Sequence, residues 1–499
     1  MILGHEWYKT QTKYLNAERT GGFSPDVPEI NAFATMSGSN SYTTTYNVEG
    51  YFGSAQYNFA EKYFASASYR RDATSRFAKD HRWGNFWSVG AAWLINKEKF
   101  FNVSWVDQLK LKASIGQQGN DNIGNWGYID LYSLVKASDA SMSPTFSRVG
   151  NEDITWETTT NFNIGIEFAL LKNRLTGSID FYNKKTTDLL FWLSIPESMG
   201  SRGYYGNLGD IRNRGIELTL SGDIIRTKEI TWNLTGNIAH NKTKILTLPD
   251  SKKGENGGFA ETGANIQLWY AEGGELFTPF LRKYAGVNEQ GQALYWVDED
   301  LFDANGAAIT SRPGQKESYT TTDYSKASRY AFDSLLPLFN GGFSTSVSLY
   351  GFDASASFEY QIGGKVYDYH YQSLMGPVSS TPNGANFHKD ILKSWTPNNT
   401  SSDIPRFQYQ DQYTASSSDR WLTNASYLAF QSFTVGYTLP KEWISKLQLT
   451  KLRVYVAGQN LALWSARKGL DPRYSYEGTE YINTYAPARN ISGGIQVTF

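Results

Sequence analysis

Four charged residues fall within seven positions: Arg70, Arg71, Asp72 and Arg76. Placed at the outer end of a strand in a pore wall, such a cluster can line the mouth and hold a polar solute. The better reading is that alternating charges there simply pair with one another and with whatever fills the pore. A second group suited to binding consists of aromatics in segments that lack regular alternation: Trp126, Tyr128, Tyr204, Tyr205, Trp269, Tyr367, Tyr369 and Trp395. Flat rings stack on sugar faces and lose little entropy on binding. They also anchor loops to one another or meet lipid headgroups.

Residue patterns for catalysis are missing. The histidines at 5, 81, 240, 370 and 388 form no pair at metal-ligand spacing, and there is no His-Glu-x-x-His. No nucleophile elbow, phosphate-binding loop or dinucleotide fingerprint occurs. Without cysteine, disulfides and thiolate chemistry are both excluded. The acidic run Asp298-Glu299-Asp300, followed by Asp303-Ala304-Asn305-Gly306, has a superficial calcium-loop look. Aligning Gly306 with the turn glycine of such a loop puts Leu301 at the first ligand position and Arg312 where a bidentate Glu belongs. A solvated outer turn is the better reading. Lys plus Arg number 47 against 48 Asp plus Glu, so bulk charge points to no nucleic acid. The expectation is a protein that is not an enzyme and carries neither metal nor cofactor.

Positioning these residues falls to β-structure. Phe162, Ile164, Ile166 and Phe168 alternate with polar or small neighbours, as do Leu175, Gly177, Ile179 and Phe181, and Trp87, Val89, Ala91 and Trp93. Period-2 patterning gives each strand one apolar and one polar face. Mean hydropathy is negative and no apolar run approaches the length of a membrane helix. Three features separate a membrane barrel from a soluble sandwich. The strands run about 9–12 residues, against about 5–6 in soluble sheets. Connections alternate between very short (near Ala60-Glu61, Lys172-Asn173, Arg226-Thr227-Lys228 and Gly351) and very long (roughly 10–45, 117–154, 184–210, 361–423 and 460–488). Aromatics such as Tyr57, Phe59, Tyr63, Phe181 and Tyr182 crowd strand ends, as an interfacial girdle requires.

The patterning predicts an all-β, transmembrane antiparallel β-barrel sheet of sixteen strands. They are expected at 2–8, 47–59, 62–71, 85–95, 108–116, 156–170, 174–184, 212–223, 229–240, 266–272, 275–284, 342–350, 352–361, 426–438, 450–459 and 489–499. The pair at 266–284 carries the weakest pattern, and one short helix is expected at 441–447. Ile491, Gly493, Ile495, Val497 and Phe499 close the chain on an aromatic, the form of a last barrel strand, with Phe499 as candidate assembly signal. Met1-Ile2-Leu3-Gly4-His5-Glu6 reads like the middle of a strand rather than a leader. The chain is therefore expected to be one unit, 1–499, the C-terminal portion of a longer barrel.

Several blocks, in order, resemble the SusC/RagA-like branch of TonB-dependent outer-membrane transporters, found in Bacteroidetes. They are Tyr69-Arg70-Arg71-Asp72-Ala73-Thr74-Ser75-Arg76-Phe77, with Ala73 where the family usually has glycine, Leu109 to Gly116 with Gly119-Asn120, and Asn213 to Leu218. Gly458-Gln459-Asn460-Leu461, Gly469-Leu470-Asp471-Pro472 and Pro487-Ala488-Arg489 complete the set. The resemblance implies a barrel of about 22 strands around an N-terminal plug. The plug, the TonB-contacting segment and about six strands would precede this chain. It also implies energised import of oligosaccharides or peptides, a SusD-like surface lipoprotein as lid, contact with the TonB complex through the preceding part, and outer-membrane lipid around the wall. A passive porin-like channel and a soluble glycan-binding β-protein are the alternatives.

Overall fold

Residues at alternate positions along the strands put their apolar side chains on one face, and among the described residues many of these side chains, Ile164, Ile179, Phe343 and Val435 for example, stay exposed. The computed structural model describes the chain except for residues 137–140, 197, 199, 202, 255–256, 299–317, 377–385, 410, 412, 446–447, 474, 476 and 478–485. In chain order the strands begin with β1 (Ile2–Gly22), β2 (Phe33–Phe59), β3 (Tyr63–Thr74), β4 (Trp83–Leu94), β5 (Val106–Asn120), β6 (Leu131–Lys136), β7 (Met142–Arg148), β8 (Glu157–Leu170) and β9 (Leu175–Thr187). Next come β10 (Leu190–Ser194), β11 (Gly203–Asn207), β12 (Asp210–Arg226), β13 (Ile230–Thr247), β14 (Gly258–Thr262), β15 (Gln267–Ala271), β16 (Thr278–Arg282), β17 (Tyr284–Val287) and β18 (Ala293–Asp298). The last are β19 (Ser318–Thr321), β20 (Arg329–Ala331), β21 (Phe339–Leu349), β22 (Phe352–Ile362), β23 (Lys365–Tyr367), β24 (Leu422–Asn424), β25 (Tyr427–Thr438), β26 (Lys451–Ser465) and β27 (Asn490–Thr498). Two short helices, α1 (Tyr369–Met375) and α2 (Lys441–Ile444), accompany them.

Fourteen strands form one sheet in the order β1-β2-β3-β4-β5-β8-β9-β12-β13-β21-β22-β25-β26-β27. The others make small sheets within the long connections. Short connections behave as the sequence suggests. Ala60 and Glu61 both have positive φ, 52° and 53°, as do Tyr350 and Gly351 at 47° and 88°. Mirror-image turns of this kind match the twist of the strands they join.

Two expectations meet a different structure. The segment 10–45 is a continuation of the hairpin: β1 and β2 stay paired from Ile2↔Ser54 to Gly22↔Phe33, with one irregularity at Glu18/Arg19. Ser39, Asn40, Ser41 and Thr43 give no apolar alternation because both faces of this stretch are exposed, so period-2 reading fails there. The pair expected at 266–284 does form strands, β15 and β16, but in a separate four-stranded sheet with β14 and β20. Leu268, Phe280 and Leu281 are buried there, so their apolar character serves a protein core. The main sheet accordingly holds fourteen strands.

By contact, the chain divides into two units. One comprises residues 1–94, 112–163 and 184–211; the other comprises 95–111, 164–183 and 212–499. In the second unit a stacked ladder, Phe343–Phe358–Phe430, crosses β21, β22 and β25 at 4.7 Å per step. Val347, Leu349, Phe352 and Val435 share its exposed face. The opposite face carries Ser344, Ser346, Asp353, Ser355, Ser357 and Thr434. There Arg453 donates through Nε to Asp353 Oδ1 at 2.8 Å, with a second contact from Nη2. The pair reaches across Gly436, where an added Cβ would come to 2.5 Å of the guanidinium. Gly165 plays the same part beside Asp180, whose Oδ1 would lie 2.2 Å from a Cβ at 165. A compact body within the long connections packs Ile266, Leu268, Leu281, Leu335, Tyr367, Met375 and Trp421 together.

Candidate functional site

The four-residue charge cluster separates into three places. Strand alternation puts Arg70 and Asp72 on the polar face, where Arg70 Nε donates to Asp72 Oδ1 at 2.6 Å and Nη2 to Glu6 Oε2 at 2.9 Å. Gly50, paired with both Glu6 and Asp72, leaves the room this triad needs: a Cβ there would lie 2.2 Å from Asp72 Oδ1. Arg71 points to the other face, its guanidinium 5.1 Å from the Trp83 ring. Arg76 lies beyond the strand and fastens a loop. Its Nη1 donates to the Asp121 carbonyl at 3.0 Å and to Asp121 Oδ1 at 3.2 Å. Asp121 Oδ2 accepts from Thr74 at 2.6 Å and from Tyr46 at 2.9 Å. The adjacent Phe77 is fully buried with Ile123 and Ile154, and Trp156 meets it edge-on at 5.6 Å. A single lumen cluster was expected; the structure has one wall triad, one outward cation and one loop clamp, because neighbouring strand residues face opposite ways.

The aromatic candidates also divide. In the first unit, Arg148 joins two of them, donating to the Trp126 carbonyl at 2.9 Å and lying 5.6 Å from the Tyr205 ring. Trp126 is exposed, has φ 68°, and stands 6.5 Å from Tyr128. Tyr128 and Tyr205 pack on the Phe77 core, while Tyr204 sits beside Leu193 in the β10–β11 ribbon. In the second unit Trp269 packs on Phe280 at 4.9 Å. Trp395 covers Gly291, where a Cβ would meet its ring at 2.4 Å. Tyr367 is 0% exposed and donates to Gln372 Oε1 at 2.7 Å, so it is a core residue with no ring face to offer a ligand. Tyr369 packs against the same core.

The polar residues of the alternating strands form a site that the aromatic residues do not mark. At the outer ends of β13, β21 and β22 the polar face gathers Asn237, Asn241, Asn340, Glu359 and Gln361, which with Arg473 line a cavity of about 690 Å³. Glu359 Oε1 accepts from Tyr427 at 2.6 Å, and Asn241 Oδ1 from Tyr182 at 2.9 Å. Amide and carboxylate groups held this way present fixed donors and acceptors to a polar ligand, and the size falls within the roughly 300–1,000 Å³ of small-molecule sites.

The outer body is held by burial and by charge. The Asp419 carboxylate accepts the Tyr284 N–H at 2.7 Å, and burial pushes its pKa up. Burial likewise pushes Tyr284 and Tyr371 up to about 12. The Lys393 ammonium beside Asp390 holds that carboxyl below its usual range, and Tyr371 donates to it at 3.1 Å. Asp368 caps α1 through the Tyr371 N–H at 3.1 Å and receives Arg467 Nε at 2.9 Å. The acidic run after Asp298 lies outside the described residues. Among the described residues no three His, Asp or Glu side chains converge as a metal site.

A sheet with half-exposed apolar residues on one face, ion-paired polar residues on the other, tight mirror-image turns at one end and folded connections at the other is the wall of an outer-membrane β-barrel. Residues 2–350 match the family described as TonB dependent receptor-like, beta-barrel, and the chain belongs to that family. Among curated relatives, TonB-dependent receptor P3 of Formosa agariphila is 28% identical over 92% of this chain and 46% of its own length. TonB-dependent receptor SusC of Bacteroides thetaiotaomicron is 28% identical over 93% of this chain and 45% of its own. The chain thus spans a little under half the length of these relatives. The RagAB peptide transporter structure superposes with a TM-score of 0.84 at 26% identity, covering 100% of this chain and 53% of that one. The SusC/RagA resemblance and the outer-membrane location are thereby established.

Proposed function

We propose that this chain forms wall and outer loops of an energised importer that carries large nutrients, oligosaccharides or peptides, across the outer membrane. Energy arrives through the TonB complex, and a SusD-like surface lipoprotein closes over the outer loops. The observation that carries this reading is the likeness to the RagAB peptide transporter along the entire chain, joined by the SusC relative. The folded outer body around Trp421 and Tyr367 supports it, since a packed surface suits docking of a lid better than a loose loop does. In the second unit the amide-lined cavity at Asn237, Asn340 and Gln361 is a substrate contact; in the first unit, taken by itself, the exposed Trp126 is a stacking platform.

The test is uptake by whole cells expressing the protein, with and without a proton gradient, together with isolation of the protein from detergent-solubilised outer membranes. Uptake that stops on de-energisation and co-purification of a surface lipoprotein are expected. Uptake at full rate in de-energised cells, with open-pore conductance in planar bilayers, would replace this reading with a passive porin. Phe499 is proposed to serve as the assembly signal, and Phe499→Ser then lowers the yield of folded protein in the outer membrane.

A further inference from the structure

Arg71 stands on the apolar face of the sheet. It pairs in register with Tyr51, which pairs with His5, so the three form a row across β1, β2 and β3. Beside that row lie Tyr69 and Trp87 on one side and Trp83 on the other, all exposed. The row's height in the membrane follows from the register. Tyr63, by the tight turn, precedes Arg71 by eight residues, or about 26 Å of strand at 3.3 Å each. A strand tilt of about 40° reduces this to about 20 Å, close to the full height of the roughly 25 Å apolar band. Arg71 therefore sits where hydrocarbon gives way to headgroups on the side away from the tight turns.

Its guanidinium is not held in an ion pair: among the described residues Arg71 makes none, and the group lies against the Trp83 ring. The nearby carboxylate of Glu49 is already engaged by the Tyr51 hydroxyl at 2.8 Å and by His5 at 3.3 Å. Immediately toward mid-membrane the same face opens into a groove of about 810 Å³, where small residues, Gly53, Ala55 and Ala67, run between Leu3, Tyr51 and Tyr69. An unpaired cation above an apolar groove, at this height, complements one kind of molecule: an anionic head on a hydrocarbon tail.

We propose that Arg71 and the groove below it form a specific site for a phosphate-bearing, acylated lipid of the outer leaflet. The Arg71 guanidinium binds the phosphate through charge-assisted hydrogen bonds, Trp83 fixes the guanidinium from one side, and an acyl chain fills the Gly53–Ala67 groove. The site lies on the lipid-facing surface and is independent of the import reading.

The experiment uses the protein purified from outer membranes, washed extensively in detergent, and weighed by native mass spectrometry with its bound lipid. Wild type retains a single phosphate-bearing lipid per chain. Arg71→Glu lowers that retention by about tenfold or more, as loss of one charge-assisted bond implies. Ala67→Leu fills the groove, keeps the cation, and lowers retention as well. Arg19→Glu, an equal charge change on the exposed hairpin, leaves retention as in wild type. Heat-modifiable migration reports folding of each variant, and if Arg71→Glu does not fold, Ala67→Leu and Arg71→Gln carry the test. Undiminished retention in the folded Arg71 and Ala67 variants overturns the proposal. So does a retained lipid without phosphate, or one lost equally in Arg19→Glu.

Discussion

Replacing Ile179 by arginine tests which way the wall faces. Ile179 is 42% exposed and lies six residues beyond Asn173, the end of a tight turn with three successive positive φ values. Six residues at about 3.3 Å cover about 20 Å, or about 15 Å of depth at a tilt near 40°, slightly past the middle of a 25 Å band. An arginine near the midplane costs about 2–4 kcal/mol, and the offset from centre brings the expectation to about 2–3 kcal/mol. That is roughly a 30- to 140-fold change in the unfolding equilibrium. Asp180→Asn, one residue along and on the polar face, keeps the side-chain shape beside Gly165 and should cost less than about 1 kcal/mol. Reversible urea unfolding of the protein in phospholipid vesicles, followed by tryptophan fluorescence, measures both. The facing is refuted if Ile179→Arg lies within about 0.5 kcal/mol of wild type, or if Asp180→Asn proves the costlier change.

Gly165→Ala places a Cβ 2.2 Å from Asp180 Oδ1 and 2.9 Å from the Ile179 carbonyl, and should destabilise by about 1–3 kcal/mol. Combining it with Asp180→Ala should recover part of that loss, and strictly additive urea midpoints would show that the two positions do not touch. Trp421→Ala empties the centre of the outer body, where the ring is 1% exposed. About 3–5 kcal/mol of local stability should go, read as rapid protease cleavage near residues 386–425 while heat-modifiability of the wall persists. For Asp390 the folded pKa lies below the ordinary 3.8, so its stabilisation is complete above that value and is lost as pH falls through the lowered folded value. Protease resistance of segment 386–393 should therefore decline on acidification below about pH 4. Asp390→Asn should flatten that decline, and an unchanged acid profile in the variant would assign it to another group.

Much of the wall could be read from alternation because lipid on one side and polar contents on the other impose opposite demands on successive residues. Phe343 and Ser344, or Ile179 and Asp180, are each other's complement, and the tight turns at Ala60-Glu61 and Tyr350-Gly351 mark where the demand pauses. The same rule explains the misreadings. The hairpin beyond Thr10 has water on both faces, so its strands carry no period. Leu268 and Leu281 look like wall residues because a protein core and a bilayer ask for the same side chains. The binding candidates were less legible. Aromatic type alone does not separate Trp126, which is exposed, from Tyr367, which is enclosed, since that depends on which distant segment folds over the ring. The Asn237–Gln361 cavity is assembled from strands more than a hundred residues apart, each contributing an unremarkable amide.

Gly50 and Gly436 permit ion pairs that bridge two strands across the glycine between them, and Gly165 leaves similar room beside Asp180. Because the intervening strand has no side chain there, the charged groups can lie along the surface instead of standing up from it. For a solute travelling past, each positive end is already matched by a negative one a few ångströms away, and the relief is low. Charges matched this closely leave these stretches of the polar face with little net pull on a charged group that comes near them.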